Sequence, residues 1–375
     1  MKIGILTFPN STSYGATLQM FALYQACQNL GYDTEIVNYF NSWMKHEKHT
    51  SIGQGSNTIL IWLKRQVHNW LHICMKARFT VFENKMQRHP SKSFTDINQL
   101  PSLAQRYGAM ICGSDQVWNP DITNEDLSFF LNFCGQKTFR ISYAPSFGVE
   151  SLSYPYAERV RRELGNFNHL SIREESGKRL IQEISGLDAK LVVDPTFLLN
   201  AEQWESYENA HPQAKGEYIL YYTIHSSPSL WRNCLELAKK TNLKILRIGS
   251  NIISKHFKKM DGVEYVCDIG PSEWLYLVHN AKYVVTNSFH GTAFSINFRR
   301  NFYLEFSSNT NSRLSNIVDL FGLENRVLRE GTEITPSITD YSKTEIVLPK
   351  MKEESMDFLK NALHCAEMKQ EQRNA

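Results

Sequence analysis

In the stretch "KYVVTNSFHGTAFSINFRR", Lys282 to Arg300, an apolar run ends at Asn287 and Ser288 and passes through His290, Gly291 and Thr292 into a second apolar run. A strand-to-helix joint of this kind exposes backbone N–H groups and a partial positive charge that hold anions, so a histidine there suits a proton donor or an anion ligand. It equally suits a residue that caps the helix or fills the sheet edge, and both readings stay open. Asp115, in "GSDQVWNP", follows a buried run and sits beside Gln116, Trp118 and Asn119; it fits a turn cap or a proton acceptor. Arg173 closes "LSIR" and precedes Glu174 and Glu175, so it reads as a salt-bridge partner or as a binding group for an anion. Asp194, ahead of Pro195, reads as a turn into a linker. "SYGATLQ" and "FHGTAFS" place Gly15 and Gly291 where a backbone can approach a ligand. Neither is a G-x-G-x-x-G fingerprint nor a P-loop, which argues against dinucleotide and nucleoside triphosphate chemistry.

The elements that must position these residues alternate along the chain. Apolar runs read as strands at KIGILTF, TEIVNYF, AMICGS, FRISYA, HLSIR and KLVVDP, then at EYILYYTI, KILRIG, VEYVCD, KYVVTN and FYLEF. They are apolar throughout, as parallel strands covered on both faces are. Helices are expected over 16–30, 155–165, 175–185, 229–241 and 272–281, from about 291, and over Met351 to Met368 after Pro349. The fold class is therefore α/β: two doubly wound Rossmann-like domains, 1–205 and 206–375, the second with a long C-terminal helix. In open parallel sheets ligands bind outside the carboxyl ends of the strands, and two such edges facing each other would make an interdomain cleft.

A helical insertion at about 41–90 breaks the alternation. Its core, Asn57 to Phe82, is basic and carries Trp62, Lys64, Arg65 and Trp70. It reads as a helical hairpin packed on the first domain, or as a helix lying on a membrane surface.

Composition narrows the classes. A net charge of +3 over 375 residues, with no run of five basic residues, gives no reason to expect nucleic acid. The seven cysteines include no C-x-x-C pair, which points to reduced core thiols rather than zinc or disulfides. The N-terminus reads as a first strand rather than a signal peptide, and no apolar run is long enough to span a membrane. A cytoplasmic location is expected, with peripheral membrane contact through the helix around Trp62–Trp70.

Six segments in order, "YGATLQMFALYQ", "ICGSDQVWNP", "ISYAPSFG", "SIREESG", "VVDPTFLL" and "VVTNSFHGTAFSINF", together closely resemble the polysaccharide pyruvyl transferase family, over roughly residues 3 to 325. The resemblance implies a GT-B-like two-domain enzyme that moves pyruvate from phosphoenolpyruvate to a sugar, galactose- or N-acetylhexosamine-type, of a cell-surface polysaccharide precursor. It implies arginines for the donor and a catalytic histidine in the second domain, which His290 matches. No cofactor and no metal is implied beyond the donor substrate. The sequence departs from the family where many members carry an arginine two residues before this histidine: here the position is Ser288, and Arg313 is the candidate replacement.

With that chemistry, His290, Asp115 and Arg173 are the expected catalytic residues. Arg173, Arg313, Asn287, Ser288, Gly291 and Thr292 are expected to bind the donor. Gly15, Gln19, Gln116, Trp118 and Asn119 are expected to hold the sugar, because a sugar ring face suits an aromatic surface and its hydroxyls suit amides. The partners expected are phosphoenolpyruvate and a sugar or lipid-linked oligosaccharide. A GT-B glycosyltransferase using a nucleotide sugar, and a non-catalytic sugar-binding protein, are the competing classes.

Overall fold

The computed structural model describes residues 1–9, 12–41, 73–86, 93–249, 260–306, 311–329, 331 and 333–374. The helix expected around Trp62–Trp70 lies outside the described residues. Among those described, the chain divides into two compact units.

Unit 1 comprises Met1–Gly53, Glu83–Leu199 and Leu348–Ala375. Its strands are β1 (Lys2–Leu6), β2 (Asp33–Ile36), β3 (Ala109–Cys112), β4 (Phe139–Ser142), β5 (Ser171–Ile172) and β6 (Lys190–Leu191). All pairings are parallel: β2-β1-β3-β4 form one sheet and β5-β6 a second. Ile5 sits opposite both Ile36 and Ile111, so the central strands present an unbroken apolar layer to the helices on each face. Serine side chains stitch β4 to β5. The Ser142 hydroxyl donates to the Ser171 carbonyl at 2.8 Å and the Ser171 hydroxyl returns the bond at 2.6 Å. Within the first sheet, strand order reverses between β1 and β3.

Unit 2 comprises Gln54–Phe82 and Asn200–Val347. It contains β7 (Tyr218–Tyr222), β8 (Lys244–Ile248), β9 (Val263–Val266), β10 (Tyr283–Thr286) and β11 (Asn301–Leu304), all parallel in the order β11-β10-β7-β8-β9. The reversal here falls between β7 and β10. Beneath them Trp204, Phe294 and Trp274 meet edge to face, with centroids 5.0 and 5.2 Å apart, and add aromatic contact to the buried area.

Two features depart from the expected organisation. The described end of the insertion, helical over 73–83, packs with unit 2 through residue 82 instead of the first domain. Arg78 takes both oxygens of Asp268, at 3.2 and 3.3 Å, and reaches Glu273 at 3.2 Å. Gly270 admits it: a Cβ there would meet the Arg78 Cβ at 2.8 Å. The long C-terminal helix begins before Pro349, at Ser342, and runs to Asn374, and its residues from Leu348 onward belong to unit 1. Pro349 removes one helix N–H where the chain passes from one unit to the other. Among the described residues, no helix is long and apolar enough to cross a membrane.

Candidate functional site

The two strand-order reversals mark where each sheet opens a crevice beyond its carboxyl ends. In unit 2 the crevice lies beyond Tyr222 of β7 and Thr286 of β10. Asn287 spans it: its Oδ1 accepts from the Ile224 N–H and its Nδ2 donates to the His225 carbonyl, both at 2.9 Å. Next in the chain, Ser288 caps the helix Phe289–Asn297, its hydroxyl accepting from the Gly291 N–H at 3.2 Å. Its own N–H is held by the Thr286 hydroxyl at 3.0 Å. His290 is therefore fixed in the first helical turn, 8% exposed, at the reversal point of the second sheet. Tyr222 underlies this turn; burial pushes its hydroxyl up to about 12, partly relieved by a hydrogen bond to Ser288.

Other expected donor ligands have work in the fold. Gly291 is required by packing rather than by a ligand, since a Cβ there would meet the Thr286 hydroxyl at 2.5 Å and the Tyr222 ring at 3.2 Å. Thr292 is fully buried and its hydroxyl closes on the Ser288 carbonyl at 3.1 Å. Arg313 is a buried side chain of the helix Asn311–Phe321, also in unit 2.

In unit 1 the corresponding edge gathers Asp115, Arg173 and Asp194 within one buried polar network. The Arg173 guanidinium donates to Asp194 Oδ2 at 2.7 Å and lies 3.7 Å from Glu174 Oε2. Asp194 also accepts from the Ser114 hydroxyl at 3.1 Å and, on its other oxygen, from the Thr196 N–H and hydroxyl at 3.0 and 2.8 Å. Burial alone would weaken the Arg173 charge; Asp194, then Glu174 and Asp115, outweigh it and hold the guanidinium above its ordinary value. The Arg173 charge is therefore already paired with carboxylates within the fold.

Asp115 is held by the same network. Its backbone is left-handed, φ 79, a conformation that disfavours most side chains and persists where the surroundings impose it. Ser146 N–H donates to its carbonyl at 2.8 Å, and the neighbouring Pro145 carbonyl takes the Arg173 N–H at 3.2 Å. Ser114, one residue earlier, is tied to Asp194. The ring 114–194–173–145–115 thus closes on Asp115, and its carboxylate remains partly exposed, receiving the Gln116 N–H at 2.8 Å.

The sugar-binding expectations need revision here. Trp118 is 0% exposed, stacked on Phe130 at 4.7 Å and bonded through its indole N–H to the Phe129 carbonyl at 3.0 Å. It plugs the core under the loop and offers no face to a ring. Asn119 caps the short helix after it, accepting from Asp121 N–H at 3.0 Å while its amide donates to Gln116 at 2.9 Å. Gln19 is buried in the helix Tyr14–Asn29, donating to Thr7 and to the Ala16 carbonyl, each at 3.0 Å. Gly15 is buried in that helix's first turn. Of the set, Gln116 alone stays partly exposed beside Asp115.

Sequence reasoning took Asp194 for a turn into a linker and did not single out Ser114. The one available signal was "DPT": an Asp two residues ahead of a Thr and just before Pro is a helix-capping pattern, and Asp194 does cap Pro195–Phe197. Nothing local told that its second oxygen would meet an arginine 21 residues earlier.

Comparison with known proteins adds to this geometry. Residues 14–304 match the family model described as polysaccharide pyruvyl transferase. No curated protein matches the chain. Among solved structures, a candidate UDP-N-acetylglucosamine 2-epimerase from Listeria monocytogenes superposes with a TM-score of 0.51 at 10% identity, covering 96% of this chain and 90% of that one. A UDP-GlcNAc 2-epimerase from Neisseria meningitidis, bound to UDP-GlcNAc, gives a TM-score of 0.46 at 11% identity, with 96% and 94% covered. At such identity the Listeria likeness speaks to fold alone, an α/β fold of the GT-B-like kind with parallel sheets.

Proposed function

The chain belongs to the polysaccharide pyruvyl transferase family, and from that premise we propose that it transfers pyruvate from phosphoenolpyruvate to two hydroxyls of a sugar, forming a cyclic ketal and releasing phosphate. The observation that carries this reading is the placement of His290 in a capped helical turn at the β7/β10 reversal, where a parallel sheet presents a ligand.

In this reading unit 2 handles the donor. The imidazolium of His290 protonates the methylene carbon of phosphoenolpyruvate, leaving an oxocarbenium centre at the adjacent carbon. The first sugar hydroxyl adds there and gives up its proton. The C–O bond to phosphate then breaks, and the second hydroxyl adds to the regenerated oxocarbenium centre to close the ketal, its proton passing to the departing phosphate. Arg313 and the helix N-terminus at Ser288 stabilise the anionic groups. Taken by itself, unit 1 offers Asp115 and Gln116, both partly exposed at the carboxyl edge of its sheet, as a carboxylate and an amide that suit the hydroxyls of a sugar. Arg173 acts by holding Asp115, not by binding the donor.

The test is phosphate release from phosphoenolpyruvate with a panel of β-galactosides and N-acetylhexosamines. Acceptor-dependent phosphate release, with a product heavier than the sugar by one pyruvic acid less one water, is the expected result. Release of nucleotide from a nucleotide sugar, with phosphoenolpyruvate inert, would overturn the proposal in favour of a glycosyltransferase.

A further inference from the structure

Far from the carboxyl edges, at the amino end of β4, unit 1 has a concavity of about 250 Å³ lined by Lys137, Arg140, Lys369 and Arg373. Their partners orient them without neutralising them. Arg373 donates to the carbonyls of Lys137 and Gln136 at 2.5 and 3.0 Å, and Arg140 donates to the Cys134 carbonyl. The Lys369 ammonium stands 5.5 Å from the centre of the Phe139 ring. Among the described residues, the only carboxylate paired with any of the four is Glu163, 3.7 Å from Arg140. Lys369 and Arg373 are four residues apart on one helix, a like-charge spacing that destabilises a helix when nothing lies between them. A concavity with about three uncompensated positive charges concentrates anions.

We propose that this pocket binds a phosphate group. A phosphate is a multiply charged acceptor that several cations approaching from different sides can share, whereas a carboxylate offers one plane and one charge. The volume suits one phosphate with a short attached group and falls below the roughly 300–1,000 Å³ usual for larger ligands. The phosphate can arrive free, as inorganic phosphate or a phosphomonoester, or on an anionic lipid at a membrane surface. Because the pocket lies at the opposite end of the sheet from Asp115, it acts independently of the proposed transfer, and the inference does not rest on that reading.

The test compares the whole chain with Lys369→Gln/Arg373→Gln, both exposed side chains, and with the exposed Lys137→Gln as a second variant. Thermal unfolding is followed in sodium phosphate against sodium chloride at matched ionic strength. Sedimentation with phosphatidylcholine vesicles is followed with and without phosphatidic acid. A phosphate-specific rise in midpoint whose apparent affinity weakens at least tenfold in the variants supports a free phosphate ligand. A loss confined to phosphatidic acid vesicles supports the lipid source. Equal responses of all three proteins in both arms would overturn the proposal, since any phosphate effect would then arise elsewhere, at the His290 turn included.

Discussion

Arg173 and Asp194 meet in a buried ion pair, 2.7 Å from Nη1 to Oδ2, which the Ser114 hydroxyl and both donors of Thr196 complete. Through Ser114 on one side and the Pro145 carbonyl on the other, the pair reaches the two backbone segments that hold Asp115 in its left-handed conformation. A charge pair so fully enclosed contributes less to net stability than its distance suggests, because both groups have left water. Breaking one side of it is severe for the same reason.

Asp194→Ala is therefore expected to destabilise the chain by about 3–5 kcal/mol, because it leaves the Arg173 charge buried with Glu174 as its nearest remaining carboxylate. Ser114→Ala removes one neutral donor to the same carboxylate and is expected to lose only about 1 kcal/mol. Urea unfolding of the two variants checks the ranking. Equal losses would mean that the ion pair is not what holds this edge.

Gly291 offers a prediction of sign. Glycine to alanine inside a helix ordinarily stabilises by about 1 kcal/mol. Here the new methyl would stand 2.5 Å from the Thr286 hydroxyl, the group that holds the Ser288 N–H. Gly291→Ala is expected to destabilise by about 1–3 kcal/mol instead, as overpacking does. A stabilised variant in thermal unfolding would show that the helix N-terminus does not press on the strand ends.

How much of this was legible beforehand follows from where each signal resides. All eleven strands of the described residues fall in stretches the sequence marks out, most plainly β3, β7 and β10, since parallel strands covered on both faces read as unbroken apolar runs. The joint at Thr286–Phe289 was legible for the same reason: a strand pattern stops and a helical one starts within three residues. Trp118 shows the opposite case. An aromatic beside amides after a buried strand has the same appearance whether it plugs the core or faces a sugar, and only its stacking on Phe130 decides. The unit to which a segment belongs is also not a local property. Residues 73–82 pack with unit 2 through contacts such as Arg78 to Asp268, nearly two hundred residues away.

Stability should fall on acidification through a specific histidine. His169 lies between the rings of Phe139 and Phe358, at 5.7 and 6.1 Å, and burial lowers its pKa below the ordinary value of 6.5. A depressed histidine means that the unfolded chain binds the proton more readily, so stability rises with pH across the window just below 6.5 and is lost as pH falls through the folded value. His169→Gln is expected to flatten the stability profile in that window relative to the parent. Carboxylates titrate in both proteins, so the difference between the two curves isolates His169, and superimposable slopes would remove it as the cause.

His290 carries the functional argument, and its test must separate chemistry from donor binding. His290→Asn keeps a hydrogen-bonding side chain of similar size in the capped turn, where Ser288 and Thr286 secure the backbone independently of the imidazole. If the ring delivers the proton to the methylene carbon, phosphate release should drop by about 10²–10⁴-fold, the range of a lost general acid. Protection against thermal unfolding by phosphoenolpyruvate should persist, because Arg313 and the helix N-terminus remain. Loss of protection together with turnover would make His290 an anion ligand rather than a proton donor. Near-normal turnover would return it to the role of a sheet-edge packing residue, and the acid would have to be sought elsewhere along the β7/β10 crevice.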